Sequence, residues 1–419
     1  MHIKFITLLL AVSLITISPS STLASQTSQT EDEVLRGSLT AILSYIRHAF
    51  DLEPKTPLSE NELRTTIHDG VSWLVNSQEE NGHFAYEYLP YQDHYRPDDN
   101  IVRQAGALFA LGEYARKNTA LNTDVNEAIE NSIAWFETLS PEDTEDGKTF
   151  RCIIDGEGSV QCKLGATSLA LAGILGYVER YPDKAPEYKD LIESYTAFIL
   201  AMKKASTGFK NLHYVNSDTE SDKESSFSNG EALMTLVKYY QYNPSKSLKD
   251  LIDESFTYMK NSVEFDSALY LWIMAALKDM QTLWPSDAYI SYTRDYTDWR
   301  LQSVALHKKT DHNYCAYIEG IVSAYSILES SSTKEELTEL RDEIDFWLAK
   351  TDRLQLEADD VYRVRNIDGA LSMEIQPNPE QAHGGFLTGY DELAQRIDFT
   401  QHCVSAYMQT LVDIDGKNL

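Results

Sequence analysis

A two-part unit recurs along this chain, and it limits the fold more than any other feature of the sequence. A helix bearing one large aromatic runs into a Gly-aromatic turn, and a polar stretch then leads into a helix dense in Ala, Gly and Leu. In the first copy the aromatic helix covers 67–78, the turn is Gly82-His83-Phe84, and the small-residue helix runs over 103–116. The second copy has Trp135, then Phe150 after a polar loop, then a small-residue helix opening at Lys163-Leu164-Gly165-Ala166. A third runs from Tyr195 through Gly208-Phe209 to Gly230-Glu231-Ala232-Leu233. The later copies are less regular. Phe256 leads to a helix beginning near Asp266, the Trp272 helix gives way to an irregular stretch over 284–309 before a helix over 311–328, and Trp347 leads to Gly384-Gly385-Phe386 and a helix over 398–412.

Small residues at helical spacing let helices approach closely, and a helix apolar all round is a buried one. The Ala/Gly-rich helices are therefore expected inside and the aromatic, charged helices outside. Hairpins that cannot bury their own faces must stack, as an open solenoid or a closed ring. The uneven spacing and atypical loops favour closure. The expectation is an all-α fold, a closed α/α toroid of about six helical hairpins over 61–419, with strand signals confined to 84–86 and 210–215.

Ahead of the toroid the sequence predicts two further segments. Lys4 precedes an apolar run from Phe5 to Ile17 and a small-residue stretch ending in Thr22-Leu23-Ala24, which reads as a cleaved signal peptide over 1–24. That run is short of the roughly 20 apolar residues needed to span a bilayer. Residues 25–60 read as an N-terminal segment with a lead-in helix. The expected location is periplasmic or secreted, with no membrane insertion after cleavage.

The 65 acidic residues outnumber the 36 basic ones, for a formal net charge of −29. A field of that sign repels nucleic acid and anionic membranes, so nucleic acid is excluded as a partner unless a local basic patch overrides it. The four cysteines suit an oxidising compartment. Cys152 and Cys162 flank Asp155-Gly156-Glu157-Gly158, whose glycines can turn the chain back, and a disulfide is expected there. Cys315 and Cys403 each lie just inside a helix start, where they can pair across neighbouring hairpins or contribute to a metal site.

The series Trp73-Leu74, Gln78, Gly82, Phe84 resembles the aromatic-Leu-x3-Gln-x3-Gly-x-aromatic repeat of the terpenoid cyclase and protein prenyltransferase toroids. A degraded copy is Phe198, Lys203, Gly208-Phe209, with one residue inserted. The resemblance implies the ring architecture. It does not imply the chemistry: Asp98-Asp99 and Asp359-Asp360 lack the Asp-x-Asp-Asp form of the cyclases, and the zinc ligands of the prenyltransferases have no match. In architecture alone the chain also resembles exported α/α toroids of the six-hairpin glycosidase type, polysaccharide lyases and uronyl epimerases. That likeness implies a carbohydrate substrate.

In such rings the inner-helix starts converge on a cavity, and helix N-termini favour anions. Candidate catalytic residues are therefore sought there. His312 and Tyr314 can exchange protons, and Asn313 can donate to a developing oxyanion. Asp398 and His402, spaced i and i+4, share a helical face and could form an oriented pair, with His383 and Arg396 nearby. As a zinc site the pair is short of ligands. The loop holding Tyr95, Arg96, Asp98, Asp99 and Arg103 offers rings to stack on sugars, a carboxylate in Asp98 for acid-base work and groups to bond hydroxyls. The stretch with Trp299 and Arg300 reads as a second such loop.

No Gly-rich phosphate loop, nucleophile elbow or His-Glu-x-x-His occurs. No cofactor is expected. The sequence thus predicts an extracytoplasmic carbohydrate-active enzyme, a glycan hydrolase, lyase or uronyl epimerase, with its cleft at the inner-helix N-termini. The alternative is a non-catalytic envelope toroid that binds glycan or protein.

Overall fold

A computed structural model describes residues 56–145, 147–217, 219, 221–306, 313–358, 360, 362–365, 371–389 and 393–419. The segments expected as signal peptide and lead-in helix fall almost wholly outside these residues, as do Asp311 and His312.

Six hairpins alternate outer and inner helices. The outer ones are α1 (Glu60–Asn76), α3 (Thr123–Thr138), α5 (Ala185–Ala201), α7 (Lys246–Ser262), α9 (Asp287–Leu306) and α11 (Lys334–Thr351). The inner ones are α2 (Ile101–Lys117), α4 (Leu164–Arg180), α6 (Ser226–Tyr242), α8 (Ser267–Leu283), α10 (Tyr314–Leu328) and α13 (Ile397–Gln409), with a short α12 (Pro379–Ala382) before the last. Each inner helix packs on the next, and α13 packs back on α2, so the ring closes. The expected toroid is observed, with small residues where backbones touch. A Cβ on Gly112 of α2 would lie 2.3 Å from the Gly173 carbonyl oxygen of α4, so those helices meet backbone to backbone.

Four outer helices carry side-chain caps at their starts. Ser59 and Glu62 form a capping box on α1, Thr333 and Glu336 another on α11, each satisfying backbone donors at the helix start. One outer helix departs from expectation: 287–306 is α9, not an irregular stretch or loop. Its inner face is Tyr289, Tyr292, Thr293, Tyr296 and Thr297, all buried, so aromatic and hydroxyl side chains do there what aliphatic ones do elsewhere.

The turn between outer and inner helix repeats in detail. Gln78 Nε2 donates to the carbonyls of Gly82 (3.2 Å) and Ala128 (2.8 Å), and Gly82 takes a left-handed φ of 92°. Bridges Gln78 to Phe84, Lys203 to Phe209 and Gln355 to Phe386 recur at three turns. The fourth residue of the following inner helix then accepts the turn's buried N–H: Gln104 from Phe84 (2.9 Å), Thr167 from Ile153 (3.0 Å), Asn229 from Phe209 (2.8 Å) and Thr400 from Phe386 (3.1 Å). In α8 and α10 the fourth residue is instead a tyrosine, Tyr270 or Tyr317.

Short strands decorate this end. β1 (Glu87–Leu89) pairs antiparallel with both β2 (His94–Arg96) and β9 (Gln395–Arg396), in register Tyr88 to Tyr95 and Glu87 to Arg396, which ties the first hairpin to the last. The remaining pairs are β3 (Glu142–Glu145) with β4 (Lys148–Arg151), β5 (Gln161–Lys163) with β6 (Leu212–Tyr214), and β7 (Tyr362–Arg365) with β8 (Leu371–Ile375). Both cysteine pairs are disulfides: Cys152–Cys162 as expected, and Cys315–Cys403, which joins α10 to α13.

At the opposite end, ion pairs cross the ring. Glu113 of α2 meets Arg116 (2.7 Å) and Lys238 of α6 (2.9 Å), while Asp413 meets Lys278 of α8 (2.8 Å) and Lys117 of α2. Cations near helix C-termini match the negative end of the helix dipole. Among the described residues no helix is long and apolar enough to cross a membrane.

Candidate functional site

The strand-decorated end holds a cleft of about 760 Å³ at the inner-helix starts. Every inner helix contributes to its lining. The sixth residue of an inner helix lies about 7.5 Å inside its start. Those residues are Gly106, Leu169, Glu231, Trp272, Glu319 and His402, so three titratable groups share one level of an otherwise apolar ring.

Glu231 is the most perturbed of them. Burial pushes its carboxyl up to about 8, against the pull of Arg103. Only 3% of the residue is exposed, and its Oε2 has no hydrogen-bond partner. Gly165 permits this placement, because a Cβ there would lie 2.3 Å from that oxygen. His402 lines the same cleft beside Trp272, their rings 5.9 Å apart. Its Nδ1 is 2.5 Å from Oε2 of Glu319, a carboxyl that burial pushes up while His402 pulls it down. That contact fixes the ring and assigns Nε2 as the nitrogen available to a ligand.

Further unpartnered polar atoms face this region: Arg103 Nε, Arg300 Nε and Gln401 Oε1 are buried without hydrogen-bond partners, all on residues that line the cleft. Aromatic surfaces complete it. Phe227 is 56% exposed in the lining, Trp299 packs on Phe265 and Tyr296, and Tyr314 stacks on Trp347 at 4.2 Å. Asn313 also lines the cleft, with its amide engaged: Oδ1 caps α10 by accepting from Ala316 N (3.2 Å), and Nδ2 donates to the Asp398 carbonyl (3.3 Å).

Of the residues singled out from sequence, Arg103, Trp299, Arg300, Asn313, Tyr314 and His402 therefore meet in one place. His312 lies outside the described residues. The expected Asp398–His402 pair does not form, because Asp398 is held by two arginines, Arg103 Nη1 at 2.8 Å and Arg396 Nη2 at 2.6 Å. Its role is to fix Arg103 from behind.

Of the loop before α2 only Asn100, the helix cap, reaches the cleft. Tyr95 donates to Gln381 (2.9 Å), Arg96 pairs with Glu87 (2.7 Å), and Asp99 accepts from Gln104 (2.8 Å) and meets His83 (3.2 Å). Asp98 is exposed and not in the lining, and His383 faces Asp69 at 3.6 Å. These side chains fasten the strands over the first and last hairpins. Among the described residues no group of three His, Cys, Asp or Glu could hold a metal.

The residue that sequence reasoning missed is Glu319, and Glu231 it placed only in the third repeat. Both sit beside glycine in otherwise apolar inner helices, Ile318-Glu319-Gly320 and Gly230-Glu231-Ala232. A lone carboxylate in a buried helix is costly unless it is paired or kept neutral, which is the signal that was available.

Among the described residues the ring of six hairpins, with a polar, aromatic-rimmed cleft at its inner-helix starts, is an α/α toroid. No protein-family model and no curated protein matches this sequence. Among solved structures it is similar to a D-mannose isomerase, with a TM-score of 0.60 and 11% identity over 85% of this chain and 98% of that one. A cellobiose 2-epimerase from Spirochaeta thermophila gives 0.58 and 11% over 85% and 97%. An inactive variant of an α-1,6-mannanase from Salegentibacter, altered at two successive aspartates and bound to α-1,6-mannotetrose, gives 0.55 and 12% over 84% and 99%. At these identities the likeness establishes the fold. That fold is the closed α/α toroid expected from the sequence; the turn motif is explained by the local hydrogen bonds of Gln78 and Gly82.

Proposed function

We propose that this chain is an exported carbohydrate-active enzyme that moves a proton at a sugar carbon, as an epimerase or isomerase does. The observation that carries this reading is the set of unpartnered buried polar atoms on Arg103, Glu231, Arg300 and Gln401, gathered in one cleft with an exposed aromatic at its rim. Such a lining suits a polyol, whose hydroxyls satisfy the orphaned groups while an aromatic covers a sugar face. The structural neighbours, an isomerase, an epimerase and a mannanase, support a sugar ligand.

The proton chemistry follows from the two titratable groups in the lining. With its carboxyl raised to about 8, Glu231 is protonated at neutral pH and serves as an acid. His402, with Nδ1 held by Glu319, offers Nε2 as the base. His402 takes the proton from a carbon beside a carbonyl, the C–H electrons pass into the C–O unit, and Glu231 donates to that oxygen. Return of a proton to carbon gives the epimer or isomer. Hydrolysis is supported less well. It calls for two carboxyls flanking the bond, and among the described lining residues Glu231 is the only carboxylate in direct reach.

The test is incubation with neutral and acidic oligosaccharides in D2O, following deuterium at carbon and reducing ends together. Deuterium incorporation that disappears in Glu231→Gln and His402→Ala is the expected result. Release of reducing ends without deuterium at carbon would make the protein a hydrolase, and binding without either would make it a scaffold.

A further inference from the structure

The second charged group of interest in the cleft is Arg300, and its surroundings are unlike those of most described arginines. Arg96, Arg103, Arg116, Arg294, Arg341 and Arg396 each meet a carboxylate within 3.0 Å. Arg300 meets none. Its Nη1 donates to Ser303 Oγ at 3.1 Å, its Nε is buried without a partner, and its guanidinium lies 5.0 Å from the centre of the Tyr317 ring. Burial pulls its pKa down, with Tyr317, Tyr270 and Tyr296 opposing. A guanidinium removed from water among phenol rings, in a cleft wall, lacks the counter-charge that such a group ordinarily has.

The rest of the lining does not supply that charge. Lys163 is matched by Asp155 and Arg103 by Asp398, each at 2.8 Å. Glu231, the carboxylate of the lining, is held neutral by burial at ordinary pH. The chain as a whole carries −29, yet among the described residues Arg300 stands in this cleft without a carboxylate partner.

We infer that the substrate is an acidic sugar whose carboxylate pairs with Arg300. This rests on the reading of the cleft as a sugar site and specifies its substrate class. Arginine suits the task because its planar fork binds a carboxylate through two parallel hydrogen bonds, and the flat Tyr317 ring beneath holds that fork in plane. The carboxylate also gives the proton-transfer reading a definite locus, since the hydrogen on the carbon next to a carboxylate becomes acidic once that group's negative charge is neutralised, and Arg300 would neutralise it and stabilise the charge that develops as the proton leaves.

The probes are β-1,4-mannuronate tetramer and β-1,4-mannotetraose, which differ only in the carboxylate at C6, titrated calorimetrically into the full chain at low and high salt. The acidic tetramer is expected to bind at least about tenfold more tightly, with a preference that shrinks as salt rises. Arg300→Gln should remove the preference and Arg300→Lys should keep part of it, both with unchanged circular dichroism. Equal or tighter binding of the neutral tetramer, or a preference that survives in Arg300→Gln, would overturn the inference while leaving a sugar site in place. Binding of neither tetramer would overturn both.

Discussion

The ring has two kinds of hairpin, and they divide the work of the cleft between them. In the first, second, third and sixth hairpins a long strap runs from outer to inner helix, over 77–100, 139–163, 202–225 and 352–396. There the fourth inner-helix residue, Gln104, Thr167, Asn229 or Thr400, is committed to the strap's backbone. The fourth hairpin crosses directly over 263–266. In it and the fifth, the equivalent positions are Tyr270 and Tyr317, which line the cleft and bond outward to Thr297 (3.0 Å) and Glu343 (2.7 Å). One helical position thus holds a strap in four hairpins and lines the cleft in the other two. The four strapped hairpins carry Glu231 and His402, and the fourth and fifth carry Trp272, Arg300 and the tyrosines.

The largest expected effect separates chemistry from framework. His402→Ala should lower turnover by about 10²- to 10⁴-fold with little change in melting temperature, whereas Tyr317→Phe should alter KM more than kcat. Equal loss of kcat in both would erase the division between the two kinds of hairpin.

Next in size are the disulfides. Cys315–Cys403 has a sequence separation of 88 and Cys152–Cys162 one of 10. Loop entropy then predicts a loss of about 4–5 kcal/mol for Cys315→Ser with Cys403→Ser, against about 3 kcal/mol for the Cys152/Cys162 double serine. Denaturant melts of the two variants read the difference.

Smaller again is the strap bond. Gln104→Ala leaves the Phe84 N–H and carbonyl unpaired in the core, at a cost of about 2–4 kcal/mol, while Tyr317→Phe costs about 1 kcal/mol. Urea unfolding that ranks them the other way would show that the straps are ornament.

The last effect is graded and depends on pH. Glu231 has its pKa raised from 4.5 to about 8, so the folded state keeps a proton that the unfolded state releases. Wild-type stability is therefore full below 4.5 and declines as pH rises toward 8, by at most about 1.4 kcal/mol per pH unit. Glu231→Gln should flatten that slope. Paired melts between pH 4 and 8 check it.

The ring was legible in sequence because its inner helices are built from Ala, Gly and Leu, a composition that only close helix contact explains. Helix α9 was not, since its buried face is tyrosine and threonine, which on paper read as a binding loop. The site was legible where one residue carries the signal, as with Arg103, Arg300 and His402. It was misread where two residues share a helix. The spacing of Asp398 and His402 suggested a pair, but Arg396 and Arg103 claim the aspartate, and the partner of His402 comes from α10, a relation that spacing along one helix does not encode.

The ion pairs among Glu113, Lys238, Lys278, Asp413 and Lys117 join α2, α6, α8 and the segment after α13 at the end of the ring opposite the cleft. The described ring is therefore cross-linked by charge at one end and by strands and a disulfide at the other, so its inner helices are fixed at both ends and the cleft between their starts is a rigid one.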